Sequence, residues 1–282
     1  MDIYYEAGGR FMDTANCYAS WEKGASGGES EMVIGAWLAE RGNRNEMFIA
    51  TKVGFPYKGV KGGLKAVQIA DECDKSLKRL GVESIDLYFA HRDEPKIPLE
   101  ESLEAFNMLA KSGKVKYFGL SNYGTERLKE AKRIINDLGL TDFCCVENHY
   151  TYLKSKNKTD SATQRFFPHM EAIDDEQLTY AKTNHLTLTA YHVMLWGAYV
   201  GADISWWGKY ASAANEARIE AIKKVAKELE ATPNQVVWAW LLASDPPVLP
   251  ITGPSNPAHL NENLEATDIV LNREQMEFLD RA

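Results

Sequence analysis

The feature that most constrains the fold of this chain is a repeated alternation of short apolar runs and longer amphipathic segments. Runs rich in Val, Ile, Phe and Tyr, bounded by Gly, Pro or Asn, predict seven strands, at 10–13, 47–53, 84–90, 115–120, 143–149, 186–191 and 247–251. Apolar residues spaced three and four apart predict helices at 29–41, 66–80, 99–112, 125–138, 170–184, 215–230 and 233–243. Such alternation is typical of parallel strands joined by right-handed crossovers.

Polar residues at the strand ends help to choose between a closed barrel and an open doubly wound sheet. At least five strands end in them, namely in Asp13, Lys52, His91, Ser121-Asn122 and Glu147-Asn148. In a barrel the loops after the strands converge on one mouth, where such groups can meet around one ligand. An open sheet usually carries a glycine-rich phosphate loop, and the sequence contains neither GxGxxG nor GxxxxGK(S/T). We therefore predict a (β/α)8 TIM barrel and a single domain over residues 1–282.

Composition excludes several classes of partner. The net charge of −8 with scattered basic residues argues against binding to nucleic acid or to an acidic membrane, and no apolar run reaches the length of a membrane span. The four cysteines, Cys17, Cys73, Cys144 and Cys145, lack CxxC spacing and predict reduced thiols. The opening MDIYYEAGGR has no signal-peptide core, so we expect a cytoplasmic protein.

Four side chains in the first third of the chain form a plausible proton-transfer set. Asp13 and Tyr18 lie in RFMDTANCY, Lys52 in MFIATKVG and His91 in IDLYFAHRD. A free tyrosine titrates near pKa 10, so a tyrosine acid needs a cation such as Lys52 to stabilise its phenolate. A carboxylate, here Asp13, would keep that lysine charged and in position. His91 could orient a carbonyl oxygen or share in the proton relay, and the sequence leaves both roles open.

An ordered series of strings resembles the aldo-keto reductases, barrel enzymes that reduce carbonyl compounds with a nicotinamide cofactor. The strings are GGRFMDTANCY, GESEMVIGAWL, FIATKVG, IDLYFAHRDEP, GKVKYFGLSNY, VENHYTYL, LTAYHVML and PITGPSNPAHLNENL, and they span the chain. The resemblance implies NADP(H)-dependent reduction of a small aldehyde or ketone to an alcohol, with Tyr18 as proton donor. The alternative is a nucleotide-binding regulatory protein on the same fold, like a potassium-channel β-subunit. Metal-dependent hydrolysis is disfavoured because no His/Asp ligand cluster appears at metal spacing.

The resemblance also implies a cofactor site. Ser121 and Asn122 match the pair that binds the nicotinamide carboxamide, and Tyr191 matches the aromatic residue that stacks on the ring. Glu147 stands where the family commonly has glutamine; its charge would favour the oxidised ring, unless it is turned away or protonated. The adenosine-phosphate end of the site would be held by Gly253, Ser255, Asn256 and Asn263.

Two of these positions bear on the choice of cofactor. Ser255 and Asn256 lie where many relatives carry an arginine or lysine for the 2′-phosphate. We expect NADP(H), with NAD(H) as the alternative.

The resemblance differs at the start of the chain, which opens inside a helix at Asp2-Ile3-Tyr4-Tyr5, so that the first barrel strand is absent from it. Either residues ahead of Met1 supply that strand, which we favour, or the chain is a fragment with exposed strand edges. Substrate choice is expected to depend on loops with aromatic side chains, which suit a flat or apolar carbonyl or a sugar ring, or else pack the loops onto the barrel. These side chains are Trp21, Trp196, Trp206, Trp207 and Tyr210, with His192 after Tyr191.

Overall fold

A computed structural model describes residues 1–155, 171–201 and 210–282, and divides the chain into two compact units, Met1–Val146 and Glu147–Ala282. The strands are β1 Phe11–Asp13, β2 Phe48–Val53, β3 Ile85–Ala90, β4 Val115–Ser121, β5 Cys145–His149, β6 Thr187–Tyr191 and β7 Val248–Pro250. The helices are α1 Asp2–Glu6, α2 Glu29–Arg41, α3 Ala66–Leu80, α4 Leu99–Lys111, α5 Thr125–Leu138, α6 Asp175–Thr183, α7 Ala213–Glu228, α8 Pro233–Ala243, α9 Pro257–Glu265 and α10 Arg273–Arg281.

The first unit contains four consecutive parallel strands in chain order. β1 pairs with β2, β2 with β3 and β3 with β4, with Asp13 opposite Ala50, Lys52 opposite Phe89 and Ala90 opposite Leu120. Because parallel strands all end at one edge, this register brings the residues that follow β1, β2, β3 and β4 to the same side of the sheet. In the second unit β6 and β7 are also parallel.

Both faces of the first unit's sheet are covered, as is typical of parallel strands. All six residues of β3 are buried. One face contributes Ala50, Leu87 and Phe89 to a core cluster, and the alternate residue Tyr88 packs on Phe106 of α4 with ring centroids 5.6 Å apart. The sheet is therefore a packed support for the loops at its carboxyl edge.

Sequence signals fix several helix ends. Thr232 caps α8, since its hydroxyl accepts from the Gln235 amide at 3.2 Å and the Gln235 side chain accepts from the Thr232 amide at 2.9 Å. Pro233 occupies the first turn, where its missing N–H costs nothing. At the end of α3, Gly81 adopts φ 65°, a left-handed conformation that glycine takes without a steric penalty.

The seven predicted strands are confirmed with ends shifted by one or two residues, but one predicted helix is wrong in its bounds. Helix 170–184 begins only at Asp175, because Asp174 caps it by accepting from the Gln177 amide at 2.9 Å, while Ala172 forms a bridge with His149. Residue 170 lies outside the described residues. Helix α10 was not predicted, although Asn272 and Gln275 form a capping box that the sequence displays.

In the described ranges no helix is both long enough and apolar enough to cross a bilayer. The same ranges hold no group of three or more His, Cys, Asp or Glu side chains that could bind a metal ion. Of the four cysteines, Cys17, Cys73 and Cys145 are buried and Cys144 is half-buried. The prediction that residues 1–282 form one domain stays a prediction.

Candidate active site

The first unit brings the four predicted proton-transfer residues together. Asp13 is the last residue of β1, Tyr18 lies in the loop that follows, Lys52 lies in β2 and His91 directly follows β3. Lys52 is completely buried, His91 is buried, and Tyr18 is half-buried. The sequence prediction that these side chains meet at the strand ends is therefore consistent with the geometry of this unit.

The Lys52 ammonium group is the centre of this cluster. It pairs with the Asp13 carboxylate through Oδ2, and it donates to the Thr14 carbonyl oxygen at 3.0 Å and to the Tyr18 hydroxyl oxygen at 3.1 Å. A lysine ammonium has three N–H donors, and these three acceptors match them. Burial raises the pKa of Asp13, and the Lys52 charge opposes that rise.

Backbone pairing holds the loop between Asp13 and Tyr18 against β2. The Thr14 amide donates to the Ala50 carbonyl at 2.9 Å and the Asn16 amide to the Lys52 carbonyl at 3.2 Å, so parallel pairing continues past the end of β1. The Tyr18 amide then donates to the Ala15 carbonyl at 3.1 Å, which closes a tight turn. The turn fixes the position of the Tyr18 backbone, and the Lys52 ammonium group contacts the Tyr18 hydroxyl at the end of the side chain.

Glu72 of α3 anchors the same loop from its other side. Its Oε2 accepts from the side-chain nitrogen of Asn16 at 2.8 Å and from the Tyr57 hydroxyl at 2.7 Å, and its Oε1 accepts from Lys75 at 2.7 Å. Burial acts to raise the pKa of Glu72, but the hydrogen bonds from Lys75, Tyr57 and Asn16 outweigh it and lower the pKa. Glu72 was not among the predicted site residues, because its contact with Asn16 joins residues 56 positions apart.

His91 is held by its backbone and enclosed by aromatic rings. Its amide donates to the Val53 carbonyl at 2.8 Å, and its carbonyl accepts from the Asn122 side chain at 2.8 Å. The imidazole packs edge-on against Phe55, with ring centroids 4.6 Å apart, and against Tyr18, at 5.6 Å. Burial, together with the Lys52 and Arg92 charges, lowers the pKa of His91 well below its usual value, so the ring is neutral near pH 7.

Ser121 and Asn122 lie at the carboxyl end of β4, also in the first unit. Both are buried, and Asn122 has φ 63°, a conformation that asparagine tolerates better than most residues. The Asn122 side-chain nitrogen donates to the Ser121 hydroxyl oxygen at 3.0 Å as well as to His91. A serine O–H donor beside an asparagine carbonyl acceptor is the complement of a primary carboxamide.

The remaining predicted cofactor residues belong to the second unit. Glu147 is buried in β5, where Oε2 accepts from the Thr189 hydroxyl at 3.3 Å. Tyr191, half-buried at the end of β6, packs edge-on against His149 and His192 with ring centroids 5.8 Å and 5.3 Å apart. Glu147 is therefore in a polar setting inside the unit.

After β7, the chain from Gly253 leads into α9. A Cβ built on Gly253 would meet nothing within 4 Å, so space lies beside this turn. Asn256 caps α9 by accepting from the His259 amide at 2.9 Å, and the Ser255 hydroxyl lies 3.5 Å from His259 Nδ1. Asn263 is buried and donates to the Thr252 hydroxyl at 2.7 Å. The cap ties the Asn256 side-chain oxygen to α9, a contact that was not predicted from the sequence.

The predicted aromatic loop residues differ in exposure. Trp21 is 71% exposed, with its ring centroid 6.3 Å from that of Tyr18. Trp196 is 54% exposed, while Tyr210 is buried and its carbonyl accepts from Asn215. Trp206 and Trp207 lie outside the described residues. Among the predicted aromatic loop residues that the structure describes, Trp21 is the one seen in contact with the predicted proton donor.

Replacing Glu72 by alanine should destabilise the protein. The Asn16 side-chain amide would lose its buried acceptor, so we expect a loss of about 1–3 kcal/mol in the free energy of unfolding, measured by urea denaturation at pH 7. Because the pKa of Glu72 is lowered, this contribution is complete above its ordinary pKa of 4.5 and is lost as the pH falls through the lowered value.

Asp74→Ala on the same helix is the matched control. Asp74 forms an exposed ion pair with Lys114, which should contribute little. Equal losses for the two variants would contradict the anchoring role of Glu72.

Comparisons with known proteins match one family over the whole chain. The model of the aldo/keto reductase family matches residues 1–282. Aldo-keto reductase str7 of Strobilurus tenacellus is 31% identical, over 98% of this chain and 77% of that protein. The aryl-alcohol dehydrogenase (NADP(+)) of Phanerodontia chrysosporium is 29% identical, over 99% of this chain and 74% of that protein.

Solved structures agree as well. A thermostable aldo-keto reductase, Tm1743, crystallised with the inhibitor epalrestat, is 28% identical, with a TM-score of 0.74 over 99% of this chain and 84% of that one. The predicted fold class, a (β/α)8 barrel, is confirmed by this likeness.

Proposed function

The chain belongs to the aldo-keto reductase family and is an NAD(P)H-dependent oxidoreductase, and we propose that it reduces aldehydes or ketones to alcohols with NADPH. The observation that carries this proposal is the contact of one buried ammonium group, that of Lys52, with both Asp13 and the Tyr18 hydroxyl. This arrangement suits a phenol that must give up its proton and take it back. The substrate is inferred to be a small carbonyl compound.

Tyr18 is proposed to donate the proton to the carbonyl oxygen. When the phenol loses its proton, the negative charge develops 3.1 Å from the Lys52 ammonium. Because the Lys52 ammonium is completely buried, this attraction is stronger than it would be at the surface. Asp13 keeps the buried ammonium charged, and NADPH, when bound, supplies the hydride to the carbonyl carbon.

His91 is proposed to orient the carbonyl rather than to act as an acid. A neutral imidazole carries one N–H, which can donate to an oxygen, and it has no excess proton to give. The ring lies edge-on to Tyr18 at 5.6 Å between centroids, so both side chains can address one substrate atom. Of the two roles that the sequence left open, the lowered pKa of His91 supports hydrogen-bond donation.

The donor set fits a nicotinamide cofactor. The Ser121 hydroxyl would donate to the carboxamide oxygen and the Asn122 side-chain carbonyl would accept from its nitrogen. For Glu147, the family resemblance proposes a place at the nicotinamide end of the cofactor. By the same resemblance, Tyr191 would stack on the nicotinamide ring, Gly253, Ser255 and Asn256 would bind the phosphates, and Asn263 the adenine. We infer NADPH because the relative from Phanerodontia chrysosporium is named as an NADP(+) enzyme, although Ser255 and Asn256 offer no cation to a 2′-phosphate.

The exposed Trp21 suggests which carbonyl compounds bind best. Its ring lies 6.3 Å from that of Tyr18 and is tilted by 59° against it, which would form one wall for a planar group. We therefore propose an aryl aldehyde or ketone as the preferred substrate class. One of the relatives is named an aryl-alcohol dehydrogenase, in keeping with this proposal.

Replacing Tyr18 by phenylalanine should abolish most of the reductase activity. Loss of a general acid typically costs about 10²–10⁴-fold in rate, and we expect a fall of this size in kcat, followed as carbonyl-dependent oxidation of NADPH over a panel of aryl and alkyl aldehydes. NADPH binding should be retained. The control is Tyr117→Phe, an exposed tyrosine of β4. Undiminished turnover in Tyr18→Phe would contradict the assignment of the proton donor.

The nucleotide preference can be measured directly by fluorescence titration with NADPH and NADH. We expect NADPH to bind more tightly than NADH. In Glu147→Gln, titrated with NADP⁺ as well, the affinity for NADP⁺ should fall relative to that for NADPH, because the wild-type carboxylate favours the positively charged oxidised ring. Comparable affinity for the two nucleotides in the wild-type protein would contradict the preference for the 2′-phosphate. An unchanged ratio of oxidised to reduced affinity in Glu147→Gln would show that Glu147 does not face the ring.

A further inference from the structure

Cys17 occupies a position next to the proposed proton donor, and its thiol contacts another proposed catalytic side chain. Cys17 is buried, and its sulfur lies 3.9 Å from Nδ1 of His91. This is within the range of a hydrogen bond to sulfur, in which a thiol is a weak donor. Cys17 and Tyr18 are adjacent in the chain, so the same turn places both the thiol and the phenol against the imidazole.

The other contacts of the His91 ring do not determine which of its nitrogens carries the proton. Phe55 and Tyr18 pack against it with their ring edges and faces. Asn122 and Val53 bond to the backbone carbonyl and amide of His91, not to its ring. Among the described residues, the Cys17 thiol is therefore the polar group seen at one of the two ring nitrogens, Nδ1, and it can decide which nitrogen carries the proton.

Both partners are neutral near pH 7. Burial raises the pKa of the Cys17 thiol to about 11, although the Lys52 charge acts against the rise. Burial also lowers the pKa of His91 well below its usual value. A thiolate–imidazolium pair is thus disfavoured, and two neutral arrangements remain: the thiol donates to Nδ1, or Nδ1–H donates to sulfur. An imidazole nitrogen is a better acceptor than a thiol sulfur, which favours the first.

We propose that Cys17 is a positioning residue, whose S–H donates to Nδ1 of His91 and so holds the imidazole in the tautomer that carries its proton on Nε2. The Nε2–H group is then the one available to donate to the carbonyl oxygen, and this last step rests on the proposed function. The tautomer itself is a property of the protein without substrate. The two parts can therefore fail separately.

The tautomer can be read from long-range nitrogen–proton correlation spectra of the protein with ¹⁵N-labelled histidine, with the His91 signals assigned from the His91→Gln variant. In the wild-type protein we expect an unprotonated Nδ1 and a protonated Nε2. In Cys17→Val, which is close to cysteine in volume but has no donor, the population with a protonated Nδ1 should increase. Cys17→Ser, which keeps a donor, should restore the wild-type pattern in part.

Cys73→Val is the matched control, since Cys73 is a buried thiol of α3 for which no contact with His91 is seen. It should leave the His91 signals unchanged. A protonated Nδ1 in the wild-type protein would overturn the proposal without any variant. Identical His91 spectra for wild type and Cys17→Val would also overturn it.

Kinetics separates the two parts of the proposal. If Nε2–H orients the carbonyl, kcat in Cys17→Val should fall several-fold while the dissociation constant for NADPH stays the same, and Cys17→Ser should recover part of the loss. A changed tautomer with an unchanged kcat would support the contact but contradict the proposed role of His91. An unchanged tautomer with a reduced kcat would overturn the positioning role, since the loss would then have another cause.

Discussion

The buried ion pair between Lys52 and Asp13 is the interaction on which the candidate site depends. Two charges taken out of water cost several kcal/mol each, and their attraction repays this only when further hydrogen bonds complete the pair. Here the Thr14 carbonyl and the Tyr18 hydroxyl complete the ammonium side, while Asp13 Oδ1 accepts no hydrogen bond from the described residues. Removing one partner of such a pair typically costs about 3–5 kcal/mol. The position of the segment from Asp13 to Tyr18 therefore depends on the Lys52 ammonium group of β2.

The same segment is fixed from outside the sheet. Glu72 binds the Asn16 side chain, and Ser30 of α2 accepts from the Thr14 hydroxyl at 2.7 Å. The loop is therefore held by β2 and by the helices α2 and α3, which fixes the orientation of the Tyr18 phenol and the Cys17 thiol. A site held in this way loses little energy to reorganisation when charge develops, which is the main source of electrostatic catalysis.

Much of this arrangement could be predicted from the sequence. The period of the apolar residues gave the strands, and parallel strands place the residues that follow them at one edge, so Asp13, Lys52 and His91 could be expected to meet. The capping residue Thr232 and its neighbour Pro233 were equally readable. These features depend on local patterns and on one topological rule.

What could not be predicted depends on packing between distant segments. The contact of Glu72 with Asn16 and that of Cys17 with His91 follow from how α3 and the loops dock on the sheet, and no spacing in the sequence displays them. The start of α6 was predicted too early, because apolar residues at helical spacing also occur before Asp174, the residue that caps the helix. Likewise, the capping oxygen of Asn256 is engaged by α9, which residue type alone does not show.

The central claim is that Lys52 acts through Tyr18, and a double-mutant cycle on the hydride-transfer step tests it most directly. Single-turnover oxidation of NADPH would be followed by stopped flow with an aryl aldehyde, in the wild type, Tyr18→Phe, Lys52→Met and the double variant. Residues that act as a unit give non-additive losses, so we predict that Lys52→Met is nearly as slow as Tyr18→Phe and that the double variant is no slower than either. Losses that multiply in the double variant would contradict the account.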